Sequence, residues 1–172
     1  LGYLSVVREM RRREALITAA RKRNIHEYNA VADVPLPYLA VICDEVADLP
    51  TSYPAGMLDN EPENILQCTV GGLEGTLRSL ARLSGASGII LYVATQRPTR
   101  DVLDGQIQAN TPNRIIFGLA NDKDSAVAYS TTKPTLYDPS AIDRAGVAVF
   151  KTPTSEVIGV VPEMTDRVID AI

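Results

Sequence analysis

Two apolar runs of the sequence end abruptly in residues that can do chemistry. The first, residues 38–43, leads into Asp44 and Glu45, and the second, residues 89–94, leads through Thr95 into Gln96. Buried parallel strands show this pattern when their carboxyl ends open on a ligand site. In such an acidic pair, the first carboxylate can hold the water shell of Mg²⁺ and the second can orient the water that attacks a phosphate. The pattern predicts a nucleotide-hydrolysing site, with Asp44 and Glu45 in those roles.

The composition indicates one compact α/β lobe. The chain has 172 residues, of which 45% are hydrophobic and 22% are charged, so it can bury a sizeable core. Its longest apolar run is far shorter than a membrane span. The formal net charge of −4 argues against a uniformly basic surface for nucleic acid. No disulfide is expected between Cys43 and Cys68. Cys43 is expected to be a small buried hydrophobe, and the alternative is a redox-sensitive gate on the acidic pair.

Hydrophobic spacing predicts the elements around these strands. Residues 4–23 form an amphipathic helix that ends near Asn24, and Leu73, Leu77 and Leu80 belong to a second helix with Gly85 as its C-cap. A short helical segment begins at Thr99. The remaining predictions are a surface loop over residues 50–62, strands over 114–119, 146–150 and 156–161, and helices over 122–130 and from Glu163 onward. The last two strands are expected to pair with each other.

Several segments together resemble the motor domain of the FtsK/SpoIIIE DNA translocases. Residues 44–49 match the family's Asp-Glu-x-Ala-Asp-Leu segment, and residues 94–98 match its Ala-Thr-Gln-Arg-Pro strand end. Further similarities in order and spacing fall at residues 9–13, 23–29, 101–110, 114–117 and 124–125. The resemblance covers about residues 5 to 150.

This resemblance implies a fold, a reaction and partners. The expected fold is α/β: a RecA-like parallel sheet of the P-loop NTPase class flanked by helices, with residues 1–172 forming the C-terminal part of one ATPase domain. The implied function is ATP- and Mg²⁺-dependent translocation of double-stranded DNA by a hexamer, in chromosome segregation or plasmid transfer. The motor is expected in the cytoplasm, with any membrane anchor on a separate upstream part. A ring of this kind contacts DNA through a few residues, so an acidic outer face does not conflict with it.

The family's phosphate-binding loop is missing from the sequence. No Gly-x-x-x-x-Gly-Lys-Ser/Thr motif occurs, and the cluster of Gly71, Gly72 and Gly75 has no lysine to reach the phosphates. In the family this loop lies upstream of the helix that resembles residues 9–13. We therefore expect a fragment of the motor domain that is inactive alone, rather than a natural half-domain or a degenerate paralogue.

Gln96 ends the second strand, where RecA-like motors place a polar side chain that contacts the γ-phosphate or its attacking water. The resemblance makes Gln96 this sensor and a cofactor-binding residue together with Asp44. An alternative is that Gln96 caps the helical segment that begins near Thr99. Arg97 has an alternative role too, as an ion-pair partner of Asp48 or Asp101.

The arginine finger of the family has no counterpart at its usual position. Where relatives have Arg-Ala-x-Gly before the second strand, this sequence has Gly-Ala-Ser-Gly at residues 85–88. Arg82, one helical turn earlier, is the substitute that we favour for reaching a neighbour's ATP, and Arg97 and Arg114 are the other candidates. Two further functions stay open: a type VII secretion ATPase that moves protein, and a non-catalytic interaction module.

Overall fold

A computed structural model describes residues 2–49, 52–130 and 136–162 of the chain. The chain divides after Gln96 into two compact units, Leu1–Gln96 and Arg97–Ile172. The assignment of residues 1–172 to part of a single ATPase domain stays a prediction. The helix expected from Glu163 lies outside the described residues.

The first unit combines a two-stranded parallel sheet with helices. Its strands β1 and β2 pair in parallel, with Leu39 opposite Ile89 and Cys43 opposite Val93. Short 3₁₀ turns follow β1 and precede β2, at Val46–Asp48 and Ser84–Ser87. The elements in chain order are α1 (Gly2–Ala19), α2 (Ile25–Asn29), β1 (Leu39–Cys43), α3 (Glu63–Thr69), α4 (Gly72–Leu83) and β2 (Ile89–Val93).

The core of the first unit forms where α1 packs on its neighbours. Leu4, Val7 and Met10 recur at helical spacing and are buried, as the amphipathic pattern predicts. One contiguous cluster joins these three side chains to Ile65, Cys68, Leu80 and Ile89. Both cysteines are buried free thiols, so the predicted role of Cys43 as a small core hydrophobe is confirmed.

Two helix boundaries of the first unit differ from the sequence predictions. α1 ends at Ala19, and Arg21 then turns the chain with a left-handed φ of 55°. Asn24 starts the separate helix α2, because its side chain accepts a hydrogen bond from the Glu27 amide at 3.0 Å. Gly85 is not the C-cap of α4. That helix ends at Leu83 with Ser84 as its cap, and the chain continues as a 3₁₀ turn to Ser87.

The left-handed position before β2 belongs to Gly88. Its φ of 74° favours glycine, and a Cβ there would lie 2.2 Å from the Cδ1 of Ile25. The sequence pattern also missed α3, whose start has no side-chain cap. It lies directly after the turns of residues 55–60, which belong to the predicted surface loop.

The second unit is an antiparallel sheet with two short helices. Strand β4 lies between β3 and β5, with Ile116 opposite Val149 and Val149 opposite Ile158. The expected pairing of the last two strands is therefore confirmed. The elements in chain order are α5 (Gly105–Asn110), β3 (Arg114–Phe117), α6 (Asp122–Tyr129), β4 (Val147–Lys151) and β5 (Glu156–Val160).

The helix predicted from Thr99 starts later, at Gly105. Asp104 caps it, since one carboxylate oxygen accepts from the amides of Gln106 and Ile107, each at 2.9 Å.

The parallel pair β1–β2 with its helices confirms the predicted α/β class. Among the described residues no helix is long and apolar enough to cross a bilayer.

Candidate functional site

The backbone ladder of β1 and β2 continues past the ends of both strands. The amide of Ala94 donates to the carbonyl of Cys43 at 2.8 Å, and the amide of Val46 donates to the carbonyl of Ala94 at 3.0 Å. These bonds hold the segment after β1 against the segment after β2. The acidic pair and the Thr-Gln pair are thereby brought to the same edge of the sheet, as the sequence predicts for parallel strands.

Glu45 links the two strand ends through its carboxylate. Its Oε1 accepts hydrogen bonds from the Thr95 hydroxyl at 2.6 Å and from the Ala47 amide at 3.1 Å, and its Oε2 accepts from the Gln96 amide at 2.8 Å. The carboxylate is half-buried and bonded through both oxygens. Hydrogen bonds to an ionised acceptor are stronger than neutral ones, so this set holds the carboxylate in one orientation.

Asp44 and Gln96 flank Glu45 with exposed side chains. Asp44 lies directly after β1, and its carboxylate forms no hydrogen bond or ion pair within the described residues. The Gln96 backbone binds Glu45, whereas its side-chain amide points to solvent. With α5 starting at Gly105 and capped by Asp104, the alternative role of Gln96 as a cap near Thr99 is wrong.

The site offers oxygen donors and no preformed metal cage. Within the described ranges no group of three or more His, Cys, Asp or Glu side chains is placed to hold a metal ion. The exposed carboxylate of Asp44 is the hard oxygen donor that a largely hydrated Mg²⁺ prefers. These residues therefore fit an ion held mainly by water and by the phosphates of a nucleotide.

Cys43 lies directly before the acidic pair and faces the core. Burial raises the pKa of its thiol. Burial also raises the pKa of Tyr3, whose hydroxyl hydrogen-bonds this thiol and adds to the rise. The thiol is thus protonated and enclosed, which makes it a packing group beneath the site.

The three arginine candidates differ in their surroundings. Arg82 is exposed on the last turn of α4 and has no hydrogen bond or ion pair within the described part of the chain. Arg97 is exposed at the start of the second unit. Arg114 is half-buried, and its guanidinium donates to the backbone carbonyls of Thr111, Gln108 and Ala128.

The structure brings together Asp44, Glu45 and Gln96, all in the first unit. Sequence reasoning missed Thr95 as a partner of Glu45. A signal was present, because the two apolar runs have equal length and Glu45 and Thr95 are both the second residue after a strand.

Comparison with known proteins places these observations in a family. No family model matches the chain. Individual relatives do: the DNA translocase FtsK of Halalkalibacterium halodurans is 37% identical over 73% of this chain, that of Chlorobaculum tepidum 42% over 70%, and the DNA translocase SpoIIIE of Bacillus subtilis 35% over 70%. The chain spans only 15%, 13% and 14% of the lengths of these relatives.

Solved structures share the fold. The monomer form of the pCW3 conjugation coupling protein TcpA with ATPγS is similar over 91% of this chain and 41% of its own, with a TM-score of 0.69 and 30% identity. EssC (ATPases 2 and 3) from Geobacillus thermodenitrificans is similar over 95% of this chain and 28% of its own, with a TM-score of 0.63 and 19% identity.

The fold and the acidic strand end define the class: the chain has the architecture of ATPase motor domains. Within that class, the FtsK and SpoIIIE relatives are 35–42% identical to this chain over about 70% of its length. The chain belongs to the FtsK/SpoIIIE family of DNA translocases.

Proposed function

We propose that this chain is part of an ATP-hydrolysing motor that translocates double-stranded DNA as a hexamer. The observation that carries the proposal is the Glu45 carboxylate, hydrogen-bonded to Thr95 and Gln96 at the end of the neighbouring strand. The named activity of the FtsK and SpoIIIE relatives supports DNA as the cargo. The motor acts in the cytoplasm, and an anchored full-length protein would hold it at the inner face of the membrane.

Each residue of the site has a role in this proposal. Glu45 orients the water that attacks the γ-phosphate of ATP, because its carboxylate is fixed and half-buried. Asp44 holds the water shell of Mg²⁺, and the ion, when bound, neutralises charge on the phosphates. The exposed amide of Gln96 senses the γ-phosphate or the attacking water.

The grip on the phosphates comes from outside these 172 residues. The chain has no Gly-x-x-x-x-Gly-Lys-Ser/Thr loop, whose backbone amides and lysine supply most of the binding energy for ATP in P-loop motors. We therefore propose that activity belongs to the longer protein. The isolated chain binds ATP weakly or not at all.

Arg82 is the arginine that we propose to reach a neighbour's ATP. It is exposed and unpaired within the described residues, so its guanidinium is available without breaking a contact. Arg114 would first have to release three backbone carbonyls, and that makes it the least suited of the candidates. An arginine supplied in trans typically accelerates phosphoryl transfer about 10³- to 10⁵-fold.

Movement of protein rather than DNA is the competing function. EssC and the cytoplasmic domain of the Thermomonospora curvata type VII secretion ATPase EccC support it only through the fold, at 19% and 20% identity. TcpA is 30% identical and has the higher TM-score, 0.69 against 0.63 and 0.58. We therefore favour DNA.

The proposal is tested by Glu45→Gln in the full-length protein. The amide keeps the shape of the side chain but cannot act as a carboxylate, so turnover of ATP should fall about 10²- to 10⁴-fold. Nucleotide binding and assembly should persist, which equilibrium binding and sedimentation would measure. Asp59→Asn, at an exposed acid of the loop before α3, is the matched control and should turn over normally. Undiminished hydrolysis by Glu45→Gln would overturn the assignment.

A second assay decides the cargo. Double-stranded DNA should stimulate hydrolysis by the parental protein, and linear DNA bearing a triplex should lose its third strand in an ATP-dependent reaction. The Glu45→Gln protein should do neither. Hydrolysis that ignores double-stranded DNA would instead favour the protein-moving function.

A further inference from the structure

Backbone bonds at the ends of the parallel pair hold Thr95 beside Glu45. Beyond the paired residues of β1 and β2, the amide of Ala94 extends the ladder by donating to the carbonyl of Cys43. The carbonyl of Ala94 then accepts from the amide of Val46 rather than from that of Glu45, so the chain bulges by one residue at Glu45. The contact between Glu45 and Thr95 therefore lies in a segment whose backbone is bonded to the sheet on both sides.

The Thr95 hydroxyl differs in kind from the other donors to Glu45. The amides of Ala47 and Gln96 belong to the backbone, and any residue except proline would supply them. Thr95 supplies a side-chain donor, at 2.6 Å from Oε1. Among these donors, it is the one whose presence depends on the residue type at its position.

The length of this bond indicates a strong interaction. Hydrogen bonds from a hydroxyl to an ionised carboxylate typically measure about 2.5–2.7 Å and are roughly twice as strong as neutral ones. Because Oε1 already accepts from Ala47 at 3.1 Å, the hydroxyl completes a pair of donors that fixes this oxygen. The direction of the second oxygen, Oε2, is then set by the plane of the carboxylate.

We infer that Thr95 is a positioning residue for Glu45. This inference rests on the proposed function, in which Glu45 orients the attacking water. Thr95 acts through the carboxylate and does not touch ATP. Removing a supporting partner of this kind typically lowers activity about 10- to 100-fold. Because ATP binding does not depend on the hydroxyl, the loss should appear in kcat and leave KM nearly unchanged.

The test compares variants of Thr95 in the full-length protein. Thr95→Val keeps the branched shape and removes the donor, so kcat should fall about 10- to 100-fold while KM for ATP changes less than about twofold. Thr95→Ser keeps the donor and should recover most of kcat. Thr95→Ala is a second variant without the hydroxyl, to be used if the valine protein does not fold. A loss that serine fails to restore would overturn the inference.

Glu45→Gln separates this inference from the proposed function. If Thr95 works through Glu45, adding Thr95→Val to Glu45→Gln should lower turnover no further, since residues that act as a unit are non-additive. An inactive Glu45→Gln protein together with a fully active Thr95→Val protein would overturn the role of Thr95 alone. A fully active Glu45→Gln protein would overturn the proposed function and the inference with it.

Discussion

Each unit of the chain has an arginine that hydrogen-bonds several of its segments, but the partners of the two guanidinium groups differ in charge. In the first unit Arg13 is 3% exposed, and it pairs with Glu9 at 2.7 Å while donating to the carbonyls of Pro37 and Ser87. In the second unit Arg114 has no carboxylate partner within the described residues. It donates to carbonyls alone.

The carbonyls that bind Arg114 belong to helix ends. Ala128 lies in the last turn of α6, and Gln108 and Thr111 lie at the end of α5. Lys151, opposite Arg114 in the sheet, donates to the carbonyl of Tyr129 at 2.6 Å. The carboxyl ends of helices carry partial negative charge, so they can stabilise cations without an acid.

An arginine can therefore be structural for two physical reasons. Arg13 ties α1 to the segments before β1 and β2 and keeps an ionic partner. Arg114 joins the ends of two helices, and burial lowers its pKa from the usual value. Neither resembles Arg82, which is exposed and unpaired among the described residues.

The largest effect is expected from Arg13→Met. Methionine keeps an apolar stem but removes the donor to Pro37 and Ser87, so the free energy of unfolding should fall by about 3 kcal/mol. Urea denaturation followed by circular dichroism would measure it. Arg12→Met is the matched control: Arg12 also pairs with Glu9 but is exposed, and its loss should cost less than about 1 kcal/mol. Equal losses would remove the distinction that burial makes between these neighbours.

Arg13 also shows what a sequence can and cannot predict. The helical stripe of Leu4, Val7 and Met10 follows from spacing, and so did α1. The contacts of Arg13 with Pro37 and Ser87 join residues 24 and 74 positions apart, which no local pattern encodes. The acidic pair was predictable from its place directly after an apolar run. Its partner Thr95 lies 50 positions away, and the equal length of the two strands is the signal that points to it.

The predictions of two helix boundaries were wrong for a more local reason. Both Gly85 and Gly88 are able to end a helix. Gly88 takes the left-handed conformation, where Ile25 leaves no room for a Cβ, whereas Gly85 lies inside the 3₁₀ turn. Thr99 and Asp104 are both acceptable caps, and the structure uses Asp104. Sequence alone leaves such choices open, because they are made by packing.

A smaller effect is expected from Arg114→Met. Loss of the donor to the ends of α5 and α6 should lower the free energy of unfolding by about 2 kcal/mol. Hydrogen exchange should locate the loss in α5, α6 and β3. Arg144→Met, at an exposed arginine of the same unit, is the control and should change stability by less than about 0.5 kcal/mol.

The outcome for Arg114 also bears on its candidacy as an arginine finger. In the proposed hexamer a structural Arg114 is needed in every subunit, so mixing Arg114→Met subunits with Glu45→Gln subunits should not restore the lost stability. A stable Arg114→Met protein with slow hydrolysis, rescued by such mixing, would contradict the structural role.

The smallest effect is expected from Glu9→Gln, which removes the ionic partner of Arg13 in the first unit. Arg12 and Arg13 lower the pKa of Glu9 from 4.5 to about 2, with Arg12 the larger influence. A carboxyl with a lowered folded-state pKa stabilises the protein above its unfolded pKa, and this contribution is lost as pH falls through the folded value. The parental chain should therefore have a larger free energy of unfolding than Glu9→Gln at pH 5, by about 0.5–1 kcal/mol after solvent screening. This stability gap should close towards pH 2.

Urea denaturation at low salt across this pH range would measure the gap. In an Arg12→Met background the gap should be smaller at pH 5, because the main cause of the lowered pKa is gone. The gap between the parental chain and Arg114→Met serves as the contrast. It should stay constant over the same range, since the backbone carbonyls around Arg114 do not titrate. If the stability gap between the parental chain and Glu9→Gln widened as pH fell, the Glu9 carboxylate would oppose folding. The difference between Arg13 and Arg114 would then have to be explained without an ionic partner for Arg13.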